Sequence, residues 1–107
     1  MDEQTIRNIV QATITELIKG GLLKSADDLA YAEIKTILTA YYNGGEREAE
    51  IRNAIEALRD DPYYKIIPLN FGYGYTLEQI AEALEVETTT IVRNKKRLCL
   101  SIYRALQ

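Results

Sequence analysis

The sequence predicts an all-α fold, with N-terminal helices followed by a tri-helical C-terminal part. Three observations predict it. Apolar residues recur at helical spacing along most of the chain. No stretch shows the apolar–polar alternation of a strand at convincing length. Glycine, asparagine and proline clusters cut the periodic segments into helix-sized pieces. The length of 107 residues suits one domain, or one small domain with a helical appendage.

Each element can be justified in order. Ile6, Ile9, Val10, Ile14, Leu17 and Ile18 predict a first helix over 4–19, which Gly20-Gly21 ends. Ser25 or Asp27 caps a second helix over 26–42, with Leu29, Ile34, Ile37, Leu38 and Tyr41 inside it. Asn43-Gly44-Gly45 breaks the chain. A third helix is expected from Glu46 to Leu58, with Ile51, Ala54, Ile55 and Leu58 on its apolar face and a Glu48–Arg52 pair one turn apart.

Asp60-Asp61-Pro62 is the next boundary. Asp61 suits a cap and Pro62 the first helical position, which predicts a short helix over 62–70, bent or shortened by Pro68. Gly72 to Tyr75 forms a turn. Thr76 with Gln79 three residues on reads as a capping box for a helix from Leu77 to Leu84. The last helix starts at Thr88 or Thr89 and runs to Leu106. The chain therefore divides into an N-terminal helical region, 1–59, and a C-terminal unit, 60–107.

Composition excludes several function classes. Histidine is absent and Cys99 is the single cysteine, so disulfide scaffolds, zinc fingers and His-dependent triads or dyads fall away. No Gly-rich phosphate loop or acidic metal cluster is present. The carboxylate pairs Asp27-Asp28 and Asp60-Asp61 sit at helix starts, where capping explains them. The expectation is a protein that is not an enzyme, has no cofactor and binds no metal. No apolar run approaches the roughly 20 residues of a membrane span, and the acidic Met1-Asp2-Glu3 start is followed by no apolar signal segment. A cytoplasmic protein with no membrane partner is the default expectation.

The charge is unevenly placed. Residues 1–87 hold all 16 acidic residues and eight basic ones, whereas 88–107 hold five basic residues and no acid. An acidic body with a basic end points to a polyanionic partner for that end. Cations also favour a helix C-terminus, so a solvated helix end is the plainer alternative.

The segment 76–98 is the informative one. Ile80 and Leu84 supply an apolar ridge, Ala81 is small where a second helix crosses, Val86 plugs the turn, and Ile91 returns to close the core. This is the spacing of a helix-turn-helix, although any helical hairpin with a small residue at its crossing shares part of it. At 100° per residue, Ile91, Leu98, Ile102 and Leu106 share one side of the last helix, with Cys99 beside them. Thr89, Arg93, Lys96, Arg97 and Arg104 project from the other side, with Thr90 and Asn94 on its flank. Lys95 points toward the packed side and must snorkel, and Leu100 points away from the core, either as a lone exposed Leu or as a contact with the N-terminal helices or a second subunit.

In that motif the start of the second helix enters the major groove. Thr88, Thr89, Thr90, Arg93, Asn94, Lys96 and Arg97 are then the DNA-contacting candidates. Arg93 suits guanine and the threonines offer hydroxyl and methyl groups, while Lys96 and Arg97 suit phosphates. N-capping is the simpler role for Thr88. The eight tyrosines read as core rims rather than stacking platforms.

Three runs of residues carry a family resemblance. They are Asp61-Pro62-Tyr63-Tyr64 with Ile66-Ile67, Gly74 to Glu82, and Thr90 to Leu98. With them, the chain resembles the DNA-binding fourth region of sigma-70-type factors, and more closely the sigma-like, phage-encoded transcriptional regulators of the ArpU and RinA type. Tyr31, Ile34, Leu38 and Tyr41-Tyr42-Asn43 also look like the helix that precedes that domain. The resemblance covers 60–107 well and 1–59 weakly. It implies a phage or prophage regulator that binds promoter double-stranded DNA, with RNA polymerase as a further partner. Glu85 departs from the pattern, which usually has Gly in the turn, and acids at Glu85 and Glu87 would weaken binding or restrict its angle.

Two other readings stay open. One is an interaction module whose basic helix binds RNA polymerase or another acidic partner. The other is a small-terminase-like DNA-packaging component, which would form a ring. The helix over 4–19 serves equally as a homodimer contact or as a cover for the C-terminal unit.

Overall fold

A computed structural model describes residues 25–45 and 48–107. Among these residues there are four α-helices, one π-helical turn and no strand: α1 (Ala26–Tyr42), α2 (Glu48–Glu56), the π-turn Pro68–Gly72, α3 (Leu77–Leu84) and α4 (Thr88–Ala105). The all-α expectation holds. The expected helix over 4–19 lies outside the described residues, as does Glu46.

Local chemistry sets most of the ends. The Ser25 hydroxyl accepts from the Asp28 N–H at 3.2 Å and caps α1. At its other end Asn43 donates through Nδ2 to the Thr39 carbonyl at 2.8 Å. Gly44 then turns the chain at φ 82°. A Cβ on Gly45 would stand 2.7 Å from the Ala40 carbonyl oxygen, so only glycine fits there. Arg52 pairs with Glu48 on α2 as expected. The Thr76–Gln79 capping box is present in both directions, at 3.1 and 2.9 Å.

The segment after Pro62 departs from the expected helix over 62–70. The Asp61 carboxylate accepts from the Tyr63 N–H at 2.9 Å in a local turn. The chain continues through three-residue bonds: Tyr64 N–H to the Asp61 carbonyl, Ile66 to Tyr63 and Ile67 to Tyr64. It then widens into the π-turn, which closes with the Tyr73 N–H on the Pro68 carbonyl at 3.0 Å. Pro68 is the physical reason. It has no N–H to give to the preceding turn, so a regular α-ladder cannot run through it.

One core serves both halves of the chain. Ile34 and Leu38 of α1, Ile51, Ala54 and Ile55 of α2, Ile66 and Ile67, Ile80 and Ala81 of α3, and Ile91, Leu98, Cys99 and Ile102 of α4 form one buried cluster. Tyr31, Tyr41, Tyr42, Tyr63, Tyr64 and Tyr103 pack around its rim, as expected. α4 touches α1, α2 and α3, and its broadest contact is with α1. The helices before and after residues 59–61 therefore share their apolar faces.

Of the roles open to Leu100, the structure shows the contact with an N-terminal helix. Leu100 is only 8% exposed and borders a hollow shared with Ala26, Leu29 and Ala30 of α1. The face of α4 opposite the main core is thus partly covered by α1.

Candidate nucleic-acid interface

The turn before α4 is built by α3's end. Glu85 adopts the left-handed conformation at φ 57° and ψ 43°. Its N–H bonds to the Glu82 carbonyl at 3.2 Å, and the Val86 N–H reaches back to Ala81 at 3.0 Å. These are the two hydrogen bonds of a Schellman ending, in which Gly is the usual left-handed residue. The turn thus takes the shape a glycine would give it, with glutamate carrying the strain. Val86 packs on the core beside Leu84.

α4 begins with Glu87 in the cap position, and no side chain caps it. The capping role expected for Thr88 is therefore corrected, since Thr88 is already the first helical residue and is half-buried. Thr89 is exposed. Thr90 is half-buried, and its carbonyl accepts from Asn94 Nδ2 at 2.8 Å. Arg93 is exposed and forms no ion pair with another described residue. Val92, beside it, is 48% exposed. Sequence reasoning missed Val92; at 100° per residue it falls between Cys99 and Lys96, at the margin of the outer face rather than within it.

The remaining candidates are already engaged. Asn94 holds Arg97 through its Oδ1, at 3.1 Å from Nε and 3.0 Å from Nη2. The same guanidinium grips Asp61 with both arms, at 2.8 and 3.0 Å. Hydrogen bonding from Arg97 holds the Asp61 carboxyl below its ordinary value, and Asp61 in turn raises Arg97. Lys96 gives its ammonium to Asp28 of α1 at 2.6 Å and lies 5.9 Å from the centre of the Tyr31 ring. Arg97 and Lys96 do not project freely as the wheel suggested. Asp28 and Asp61 are more than caps, and nothing local in the sequence marks them as partners of α4.

Arg93, Lys96, Arg97 and Arg104 rim a hollow of about 300 Å³ that Leu100 borders. Lys95 lies on the other side, half-buried with its ammonium 5.0 Å from the Phe71 ring centre, and burial lowers its pKa. Tyr73 and Tyr75 differ from the other tyrosines in being exposed, at 78% and 47%. Among the described residues no group of histidine, cysteine or acidic side chains is placed to hold a metal ion, and no helix is long and apolar enough to cross a membrane. Known protein families, curated proteins and solved structures offer no match to this chain, so the chemistry of this basic face rests on its own residues.

Proposed function

We propose that this protein is a sequence-specific DNA-binding transcriptional regulator of the sigma-like phage or prophage kind, in which α3, the Glu85 turn and α4 act as a helix-turn-helix. One observation carries the reading. The start of α4 leaves Thr89, Val92 and Arg93 exposed while Ile91 and Leu98 anchor the opposite face in the core. A recognition helix needs this division: a fixed inner face and a polar, cationic outer face near its N-terminus. Arg93 offers a bidentate donor to guanine, and the threonines add hydroxyl contacts. Arg97 and Lys96 have the chemistry to meet phosphates, which set affinity rather than sequence choice. RNA polymerase is the second partner that the sigma likeness implies.

The test is a fluorescence-anisotropy titration onto duplex DNA from the protein's own genomic neighbourhood, against scrambled duplex, at two salt concentrations. Binding should favour the native duplex and weaken with salt. Arg93→Ala should lose about tenfold or more on the native duplex and most of its preference over scrambled DNA. Absence of binding at low salt rejects this reading.

A second reading has one observation in its favour. Lys96 and Arg97 already bind carboxylates, so the same face suits an acidic protein surface. Under that reading the protein binds RNA polymerase, and a pull-down retains polymerase with no DNA present.

A further inference from the structure

The two ion pairs on α4 join residues far apart in the chain. Lys96 and Asp28 are 68 positions apart, and Arg97 and Asp61 are 36 apart. In both pairs the acid is the more enclosed partner: the side chains are 38% exposed for Lys96 and 24% for Asp28, and 47% for Arg97 and 19% for Asp61. The cations therefore face outward, and the acids reach them from beneath and beside. Both cations rim the hollow that Arg93 and Arg104 complete. A guanidinium fork on two oxygens, and an ammonium on one, are also the contacts that Arg and Lys make with phosphate.

We propose that Asp28 and Asp61 stand in for two backbone phosphates on the basic face of α4, so that double-stranded DNA must displace them to reach Lys96 and Arg97. The proposal rests on the DNA reading above and adds its regulation: the chain carries an internal competitor for its own phosphate contacts. The exchange is feasible because both cations are substantially exposed, where such pairs contribute little. Arg97 also stays aligned without Asp61, because Asn94 still accepts from two of its nitrogens. The competitor is built in two parts, one on α1 and one in the loop after α2, so each part can be removed alone.

Asparagine is the right replacement. At 61 its Oδ1 keeps the acceptor for the Tyr63 N–H. At 28 its side-chain oxygen keeps an acceptor for the Ser25 hydroxyl. Asp60→Asn is the control: it removes the same charge from the neighbouring, exposed position, and no ion pair joins Asp60 to Arg97.

The experiment is anisotropy titration of the full chain onto native-neighbourhood duplex, for wild type, Asp61→Asn, Asp28→Asn, the double variant and Asp60→Asn, with thermal melts alongside. Each single variant should bind about threefold more tightly and the double variant about tenfold. Asp60→Asn should gain less than half as much as Asp61→Asn. The dependence of affinity on salt should steepen in the double variant, because more phosphates are neutralised without an acid being released. Asp28→Asn lies on a different element and decides the matter if Asp61→Asn does not fold. Wild type that binds, with Asp61→Asn and Asp28→Asn no tighter than Asp60→Asn, overturns the competitor and leaves the DNA reading standing. Failure of every variant to bind at low salt overturns both.

Discussion

Glu85 shows what a single residue contributes to this architecture. It is the one non-glycine residue at positive φ among the described residues. An L-residue with a Cβ pays about 1 kcal/mol in that conformation. The two Schellman hydrogen bonds and the seating of Val86 hold it there. Glu85→Gly relieves the strain, offset in part by the greater freedom of glycine in the unfolded chain. Chemical denaturation should show a gain of about 0.5–1 kcal/mol for Glu85→Gly. Glu85→Ala should show little gain, because it keeps the Cβ. A glycine variant less stable than wild type would mean that the glutamate side chain itself holds the turn.

At the scale of elements, the α1–α4 contact organises the candidate site. It covers Leu100, brings Asp28 to Lys96 and helps bury Cys99 within the core cluster. Burial pushes the Cys99 thiol from 9.0 up to about 12. Burial, with a smaller effect from Cys99, pushes Tyr31 from 10.0 up to about 12. Tyr42 rises from 10.0 to about 12 for the same main cause. All three groups hold their protons more tightly folded than unfolded. Their contribution is intact below pH 9 and is lost as pH rises toward 12. The urea midpoint should therefore fall from pH 9 upward, with the buried Cys99 thiol setting the onset and the half-buried tyrosines adding to it above pH 10. Cys99→Ala should flatten the decline between pH 9 and 10, before the tyrosines begin to titrate. An unchanged slope in that window would exclude Cys99 as its source.

For the molecule as a whole, the shared core has a direct consequence. Residues 60–107 alone would expose the apolar surface of α4 that α1 and α2 cover, Leu100 among it. Large exposed apolar patches of this kind are unfavourable in an isolated small unit, which has little core to spare. A fragment of residues 60–107 should therefore melt without a sharp transition and bind a hydrophobic dye, whereas the full chain melts cooperatively. A sharp transition in the fragment at a temperature near that of the full chain would show that α1 and α2 are dispensable to the fold.

The parts legible in the sequence are those governed by neighbours within one or two turns. The Ser25 and Thr76 caps, the Asn43–Gly45 break, the bounds of α1 and α3, and the inward face of α4 at Ile91, Leu98 and Ile102 all follow from spacing and local hydrogen bonding. Pro68 announced a disturbance, but its resolution into a π-turn rests on the Tyr73 N–H closing on the Pro68 carbonyl five residues back. A helical wheel assigns faces for one helix against one core. It set Leu100 off the core face and left open whether solvent, an N-terminal helix or a second subunit met it, because it could not include α1. Nor could it place Asp28 and Asp61 on Lys96 and Arg97. Pairing across 68 and 36 positions has no local periodicity, and arises when burial of the apolar faces brings α1 and the Asp61 turn alongside α4.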